Sequence, residues 1–270
     1  MNKIAHISDI HFGDAHPEVV ERLVEKVCEL EPDLVVVSGD LTQRARSKQF
    51  RAARGFLDRL PPTQLIVPGN HDVPLYNIFD RFLKPLTKYK RYITDDLKPE
   101  FHTDGLSVFG LNTTRSFTIK GGRVNIEQVE DLATRLAAVS DESVKMIVTH
   151  HPFDLPEGFD EDDIVGRAEE VMPRLVECGA DVFLAGHLHV SHITHSARRY
   201  RLDDGYSALI IQAGTAASLR ERGEENSFNL IELDHPVLTV KRFECPMPET
   251  GFRLATTEQF TMTEKGWSRL

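Results

Sequence analysis

A chain of 270 residues with 40% hydrophobic and 27% charged side chains has the material for one large α/β domain with its own core. Its formal net charge of −10 argues against coating long nucleic acid, though not against a phosphorylated substrate, because bound cations supply local positive charge. Three scattered cysteines, Cys28, Cys178 and Cys245, make no disulfide framework, and no apolar run reaches the ~20 residues of a membrane span.

Met1-Asn2-Lys3 leads directly into a polar strand without the apolar stretch of a signal peptide, so a cytoplasmic location is expected. Ile4 to Ser8 reads as a short strand. Pro17 to Glu31 reads as a helix with Val20, Leu23, Val24, Val27 and Leu30 on one face. The apolar run from Leu34 to Ser38 is a strand buried on both faces, Ser47 to Leu60 a second amphipathic helix, and Leu65 to Val67 the next strand. This alternation predicts right-handed crossovers and a parallel sheet. Residues 73–104 are less regular and read as a cap or insertion near the site. Their aromatics Tyr76, Phe79, Phe82, Tyr89 and Tyr92 form either a cap wall or a satellite apolar cluster. Strand character resumes from Leu106 to Leu111. Asn125 precedes a helix carrying Ile126, Val129, Leu132, Leu136 and Val139. Met146 to Thr149 and Val182 to Ala185 are further strands, with a helix between them before Gly179. Ala208 to Ala213, Phe228 to Leu233 and Val237 to Phe243 follow without helices, which predicts antiparallel strands extending a second sheet. Residues 1–250 make the domain, and 251–270 read as a weakly specified extension.

Five polar segments each lie where a buried strand stops: Ser8-Asp9-Ile10-His11, Ser38-Gly39-Asp40, Pro68-Gly69-Asn70-His71-Asp72, Thr149-His150-His151-Pro152 and Ala185-Gly186-His187-Leu188-His189. In an open α/β sheet ligands bind at the carboxyl ends of the strands, so the five segments are expected on one rim. Asp, Asn and neutral His offer oxygen and imidazole donors that suit Mn, Fe, Zn, Co or Ni rather than Ca. Asp9, His11, Asp40, Asn70, His150, His187 and His189 are more donors than one tetrahedral ion uses. They fit two ions about 3.5–4 Å apart, sharing a carboxylate. Each segment alone has an ordinary explanation as a turn or a satisfied core histidine; their order along successive strand ends does not.

Together these motifs resemble the calcineurin-like metallophosphoesterase superfamily, most closely its class III cyclic-nucleotide phosphodiesterase branch, over about residues 3 to 235. The resemblance implies a four-layered α/β/β/α sandwich of two mixed sheets flanked by helices, with two divalent or mixed-valence ions (Mn, Fe, Zn or Co) at the strand ends. It implies that Asp9, His11 and His189 bind one ion, that Asn70, His150 and His187 bind the other, and that Asp40 bridges both. His71 would contact the phosphate and assist the leaving group, with Asp72 either orienting it or capping the following turn. His151 matches a supporting residue.

The expected reaction is hydrolysis of a small phosphodiester, foremost a 3′,5′-cyclic nucleotide, by in-line attack of a metal-bound hydroxide. Asn70 and His71 would contact substrate. Arg44, Arg46, Arg115 and Arg220 are candidates for the same task or solvated charges, and His192 and His195 either line the pocket or lie at the surface. A phosphomonoesterase or a lipid or nucleotide pyrophosphatase on the same core is the alternative, for which an apolar groove in 73–104 would speak. A catalytically dead, metal-binding interaction module is the third reading. Partners reduce to the small substrate and, by analogy with relatives, a second copy paired through the C-terminal strands.

Overall fold

A computed structural model describes residues 1–75, 78–117, 120–202, 205–218 and 224–270. Two sheets pack face to face. The first has seven strands in the order β13-β12-β11-β10-β1-β2-β3, and the second six, β4-β5-β6-β7-β9-β8. β1 (Asn2–Ile7), β2 (Leu34–Val37) and β3 (Gln64–Ile66) run parallel through crossover helices α1 (Pro17–Leu30) and α2 (Ser47–Leu57). In the second sheet β5 (Leu106–Gly110), β6 (Val144–Val148), β7 (Val182–Ala185) and β9 (Leu209–Gln212) are parallel, with α5 (Ile126–Ala137) and α6 (Ala168–Glu177) in the first two crossovers.

Three apolar layers account for this order. Ile4, Val36, Val108, Val148 and Leu184 belong to the core between the sheets. Val20, Leu23, Val27, Phe50 and Leu57 cover the outer face of the first sheet, and Leu132, Leu136, Val171 and Leu175 that of the second. Each core strand is therefore buried on both faces, which is why Leu34–Val37 and Val182–Ala185 read as unbroken apolar runs. Helices outside two stacked mixed sheets give the four layers that the family resemblance implies.

Several boundaries differ from the sequence reading. α2 stops at Leu57 because Pro61 and Pro62 follow the turn. The segment 73–104 holds two short helices, α3 (Ile78–Leu83) and α4 (Thr87–Tyr92), and its end is an edge strand, β4 (Glu100–Thr103), antiparallel to β5. The strands after β9 do not extend the second sheet. β10 (Asn226–Asp234) pairs antiparallel with β1, so the chain returns to the first sheet and builds outward through β11 (Val237–Cys245). The supposed loose tail continues this growth as β12 (Arg253–Thr263) and β13 (Gly266–Arg269). Most of β12 is exposed, so it lacks apolar alternation; Phe260 and Trp267, with the partly buried Met262, anchor the pair in the core. β8 (His192–His195), an edge strand antiparallel to β9, went unread because its alternation is polar.

Candidate active site

The strand ends meet as the parallel order requires. The loop after β1 runs beside the loop after β2, with Asp9 N–H donating to Gly39 O at 3.2 Å, His11 N–H to Asp40 O at 3.0 Å and Phe12 N–H to Leu41 O at 2.8 Å. Asp9, His11 and Asp40 all adopt positive φ, at 53°, 54° and 51°, and so do His187 and His189, at 77° and 62°. Asp and His tolerate this left-handed region better than most residues, yet it is strained and clusters at functional sites. Left-handed turns beyond the end of β1 therefore bring Asp9 and His11 together.

Close packing permits this. A Cβ on Gly69 would overlap the Asp40 carboxylate, and one on Gly186 would overlap Ser8 Oγ and the Asp9 carboxylate. The two sheets are also tied together here: His187 N–H donates to Asp9 Oδ2 at 2.9 Å, and the His150 ring bonds the Ser38 carbonyl at 2.8 Å.

The donors fall into two groups. Asp9, His11 and His189 form one: His189 Nε2 lies 3.3 Å from Asp9 Oδ1 and 3.1 Å from His11 Nε2, which is itself 3.6 Å from Asp9 Oδ1. His150 Nε2 faces Asn70 Oδ1 at 3.0 Å in the other, with the His187 ring centroid 5.1 Å from that of His150. Asp40 lies between them, its Oδ2 3.8 Å from His11 Nε2 and 3.4 Å from His150 Nε2. Asp9, His11, Asp40 and His150 are at most 1% exposed.

Hydrogen-bond logic shows that this arrangement fits cations. His150 gives its Nδ1 proton to the Ser38 carbonyl, so its Nε2 faces two oxygens that donate nothing and needs a proton or a cation between itself and them. Asp9 Oδ1 is buried without a hydrogen-bond partner. Groups of acceptors aimed at one another are tolerated in a buried place only when a positive charge or a proton lies among them. Burial would push the Asp9 and Asp40 carboxyls up. The surrounding imidazoles, His189 and His11 at Asp9 and His150 at Asp40, overturn this and hold both far below the usual range. Burial likewise disfavours a charged His150, but the Asp40 carboxylate prevails and raises it to about 9.

His71 stands at the mouth. Its Nδ1 bonds the Gln43 carbonyl at 2.9 Å, leaving Nε2 for the cavity, and burial lowers the ring against the pull of Asp40. Asp72 does not orient it. Its buried carboxylate accepts from the N–H groups of Leu41, Thr42 and Gly69 at 3.2, 2.9 and 3.0 Å and from Thr42 Oγ1 at 3.0 Å. The short helical turn Asn70–Asp72 aims it inward, where it fastens the Asp40 and Asn70 loops together. His151 has both nitrogens engaged, by Thr113 Oγ1 at 2.7 Å and the Lys120 carbonyl at 2.8 Å, and is held neutral by burial; it supports the β5 loop.

The cavity at this centre has a volume of ≈ 110 Å³ and is lined by Asp40, Asn70, His71, Lys120, Phe159, Asp163, His187, Leu188 and His189. Lys120, Phe159 and Asp163 were not anticipated. Asp163 Oδ1 lies 3.8 Å from His187 Nε2. The acidic run Asp160 to Asp163 was the one signal for it. Arg44 lies beside His71, its Nη1 3.5 Å from His71 Nδ1. Arg115 is not at the centre: its guanidinium clamps its own loop through the Asn112 and Thr114 carbonyls and Gln128. Arg46 is exposed ahead of α2, and His192 and His195 lie on β8 outside the cavity. Tyr76 and Arg220 fall outside the described residues.

Residues 2–191 match the family described as calcineurin-like phosphoesterase. The chain belongs to that family. It is 32% identical over 111 residues to a glycerophosphodiester phosphodiesterase of Enterobacter lignolyticus, covering 34% of this chain and 39% of the relative. Identity is 27% over 216 residues to a cAMP/cGMP dual specificity phosphodiesterase of Mycobacterium tuberculosis, covering 70% and 62%. The chain thus spans less than two thirds of the length of these curated relatives. The fold is shared with purple acid phosphatase PPD1 from yellow lupin seeds, at a TM-score of 0.71, 12% identity and coverage of 96% of this chain and 53% of the other. No helix among the described residues is long and apolar enough to cross a membrane.

Proposed function

We propose that this calcineurin-like phosphoesterase hydrolyses a small phosphodiester, a 3′,5′-cyclic nucleotide foremost, on a pair of divalent cations. The observation that carries the proposal is the placement of Asp40 between two groups of buried acceptors. In this reading Asp9, His11 and His189 hold one cation, Asn70, His150 and His187 the other, and Asp40 touches both. The cations would supply Lewis acidity toward the phosphoryl oxygens and a nucleophile from water at neutral pH.

The chain's own groups do the rest. Ser38 and Asp72 keep His150 and the Asp40 loop in place, so the donors pay little reorganisation when substrate arrives. His71 presents Nε2 to the cavity, and a bound phosphate favours its charged form. The charged ring stabilises the transition state and protonates the leaving oxygen. Arg44 and Lys120 add positive charge at the rim. The mycobacterial and Enterobacter relatives support diester substrates by their names. A second reading, a pyrophosphatase acting on a lipid-linked nucleotide, draws on the exposed apolar side chains of α3.

The test is hydrolysis of bis(p-nitrophenyl) phosphate and of cyclic AMP by chelator-treated protein with Mn restored. Turnover that returns with Mn and disappears in Asn70→Ala is the expected result. Metal-loaded protein inert toward every phosphoester would end the proposal.

A further inference from the structure

Nine large apolar side chains are strongly exposed among the described residues, and four of them form one patch: Phe79 (77%), Phe82 (46%) and Leu83 (73%) on α3, and Phe117 (88%) on the loop after β5. The Phe82 and Phe117 rings touch, with centroids 5.1 Å apart and planes inclined by 57°. Clusters of this kind mark contact surfaces, whereas single exposed apolar residues mark nothing.

The patch is anchored to the centre at both ends. Arg81, 6% exposed, points inward from α3; its Nε donates to Ser116 O at 2.7 Å and its Nη1 to Pro74 O at 3.0 Å. Pro74 follows directly on the turn bearing Asn70, His71 and Asp72. Beyond Phe117 the same loop reaches Lys120, which lines the central cavity and whose carbonyl binds His151. One arginine therefore ties the helix bearing Phe82 to the loop bearing Phe117, and Lys120 at the cavity lies three positions further along that loop.

We propose that Phe82 and Phe117 form the platform on which the flat heterocycle of a nucleotide substrate stacks while its phosphate occupies the centre. This rests on the phosphodiesterase reading and names the part of the substrate that the cavity of ≈ 110 Å³ cannot enclose. An acyl chain gains affinity by burying most of its surface. A patch left this open suits a ring that offers one face to an aromatic side chain and keeps its polar edges in water. Stacking without edge contacts tolerates different bases, since every base has a π-face.

The test compares binding of AMP and of ribose 5-phosphate to Mn-loaded protein by calorimetry, in wild type and in Phe82→Ala/Phe117→Ala. The exposure of both rings makes folding of the variant routine, and a thermal melt checks it. The expected result is a loss of about tenfold in AMP affinity with ribose 5-phosphate changed less than about twofold, and recovery in Phe117→Trp. In turnover, the loss on cyclic AMP falls chiefly on KM. Equal affinity of the wild type for the two ligands, or an equal loss of both, overturns the platform. So does a wild-type dimer, or wild-type binding to phospholipid vesicles, that the variant abolishes with AMP affinity intact. Wild-type protein that prefers AMP through these rings yet cleaves no diester would sink the reaction and leave the platform standing.

Discussion

The metal-type centre and the aromatic rim are neighbours in the chain, yet they are built by opposite means. At the centre, Asp9, His11, Asp40 and His150, each at most 1% exposed, are set by left-handed backbone and by glycines with no room for a Cβ. At the rim, apolar side chains between 46% and 77% exposed ride on a six-residue helix fixed by Arg81, and Phe117 beside them is 88% exposed. Confined polar groups leave few substitutions open, whereas an exposed ring can change without disturbing the fold. On the proposed reading, reaction type is stored in the rigid part and substrate preference in the tolerant part.

Four substitutions break or sharpen this contrast. Asp40→Ala is expected to lower hydrolysis of bis(p-nitrophenyl) phosphate by about a thousandfold under saturating Mn. A loss below about tenfold would show that the two donor groups work without their shared carboxylate. Gly69→Ala, whose methyl would overlap Asp40, is expected to cost about 3 kcal/mol in urea unfolding of the metal-free protein. An unchanged midpoint would mean that the loop yields more easily than its packing suggests.

The third concerns His6, fully buried below the centre, with Nε2 2.9 Å from Ser38 Oγ. Burial lowers it to about 3 against the attraction of Asp9. Its folded value lies below its unfolded one, so its contribution to stability is complete above pH 6.5 and is lost as pH falls toward 3. The slope approaches about 1.4 kcal/mol per pH unit, and His6→Gln should flatten it in a pH series of melts. Identical slopes in the two proteins would remove His6 from the account. Last, Leu83→Ser on the rim should shift stability by less than about 0.5 kcal/mol. A shift of 2 kcal/mol would show that α3 is packed as the core is, and the contrast would fail.

Much of this contrast could be read from residue order. The seven donors stand out because each follows an apolar run that has to be a buried strand, and a polar residue at such a place has nowhere to point except the common rim. Tyr89 and Tyr92 belong to the apolar cluster weighed for that segment: Tyr89 is buried with its hydroxyl on Ile66 O at 3.1 Å, and Tyr92 stacks on Phe50. Lys120 and Asp163 escaped because long loops deliver them, and no periodicity encodes how a loop folds back. Of the two readings of Asp72, orienting His71 fails because that sequence neighbour is not its spatial partner; the N–H groups of Gly69 and of the separate Asp40 loop are. The returning strands β10 and β11 were misplaced because antiparallel alternation says which face is buried but not which sheet edge the strand joins.

His11 and His189 are 178 positions apart, and their side chains meet only after both sheets have formed and closed on each other. Neither half of the chain carries a complete ion cage. On the proposed reading, uptake of cations is therefore expected late in folding, and a ribosome-bound or proteolysed fragment ending before Gly186 is expected to bind Mn weakly. Ion loading can consequently serve as an assay of completed assembly, one that distinguishes a finished sandwich from a collapsed intermediate with the same secondary structure content.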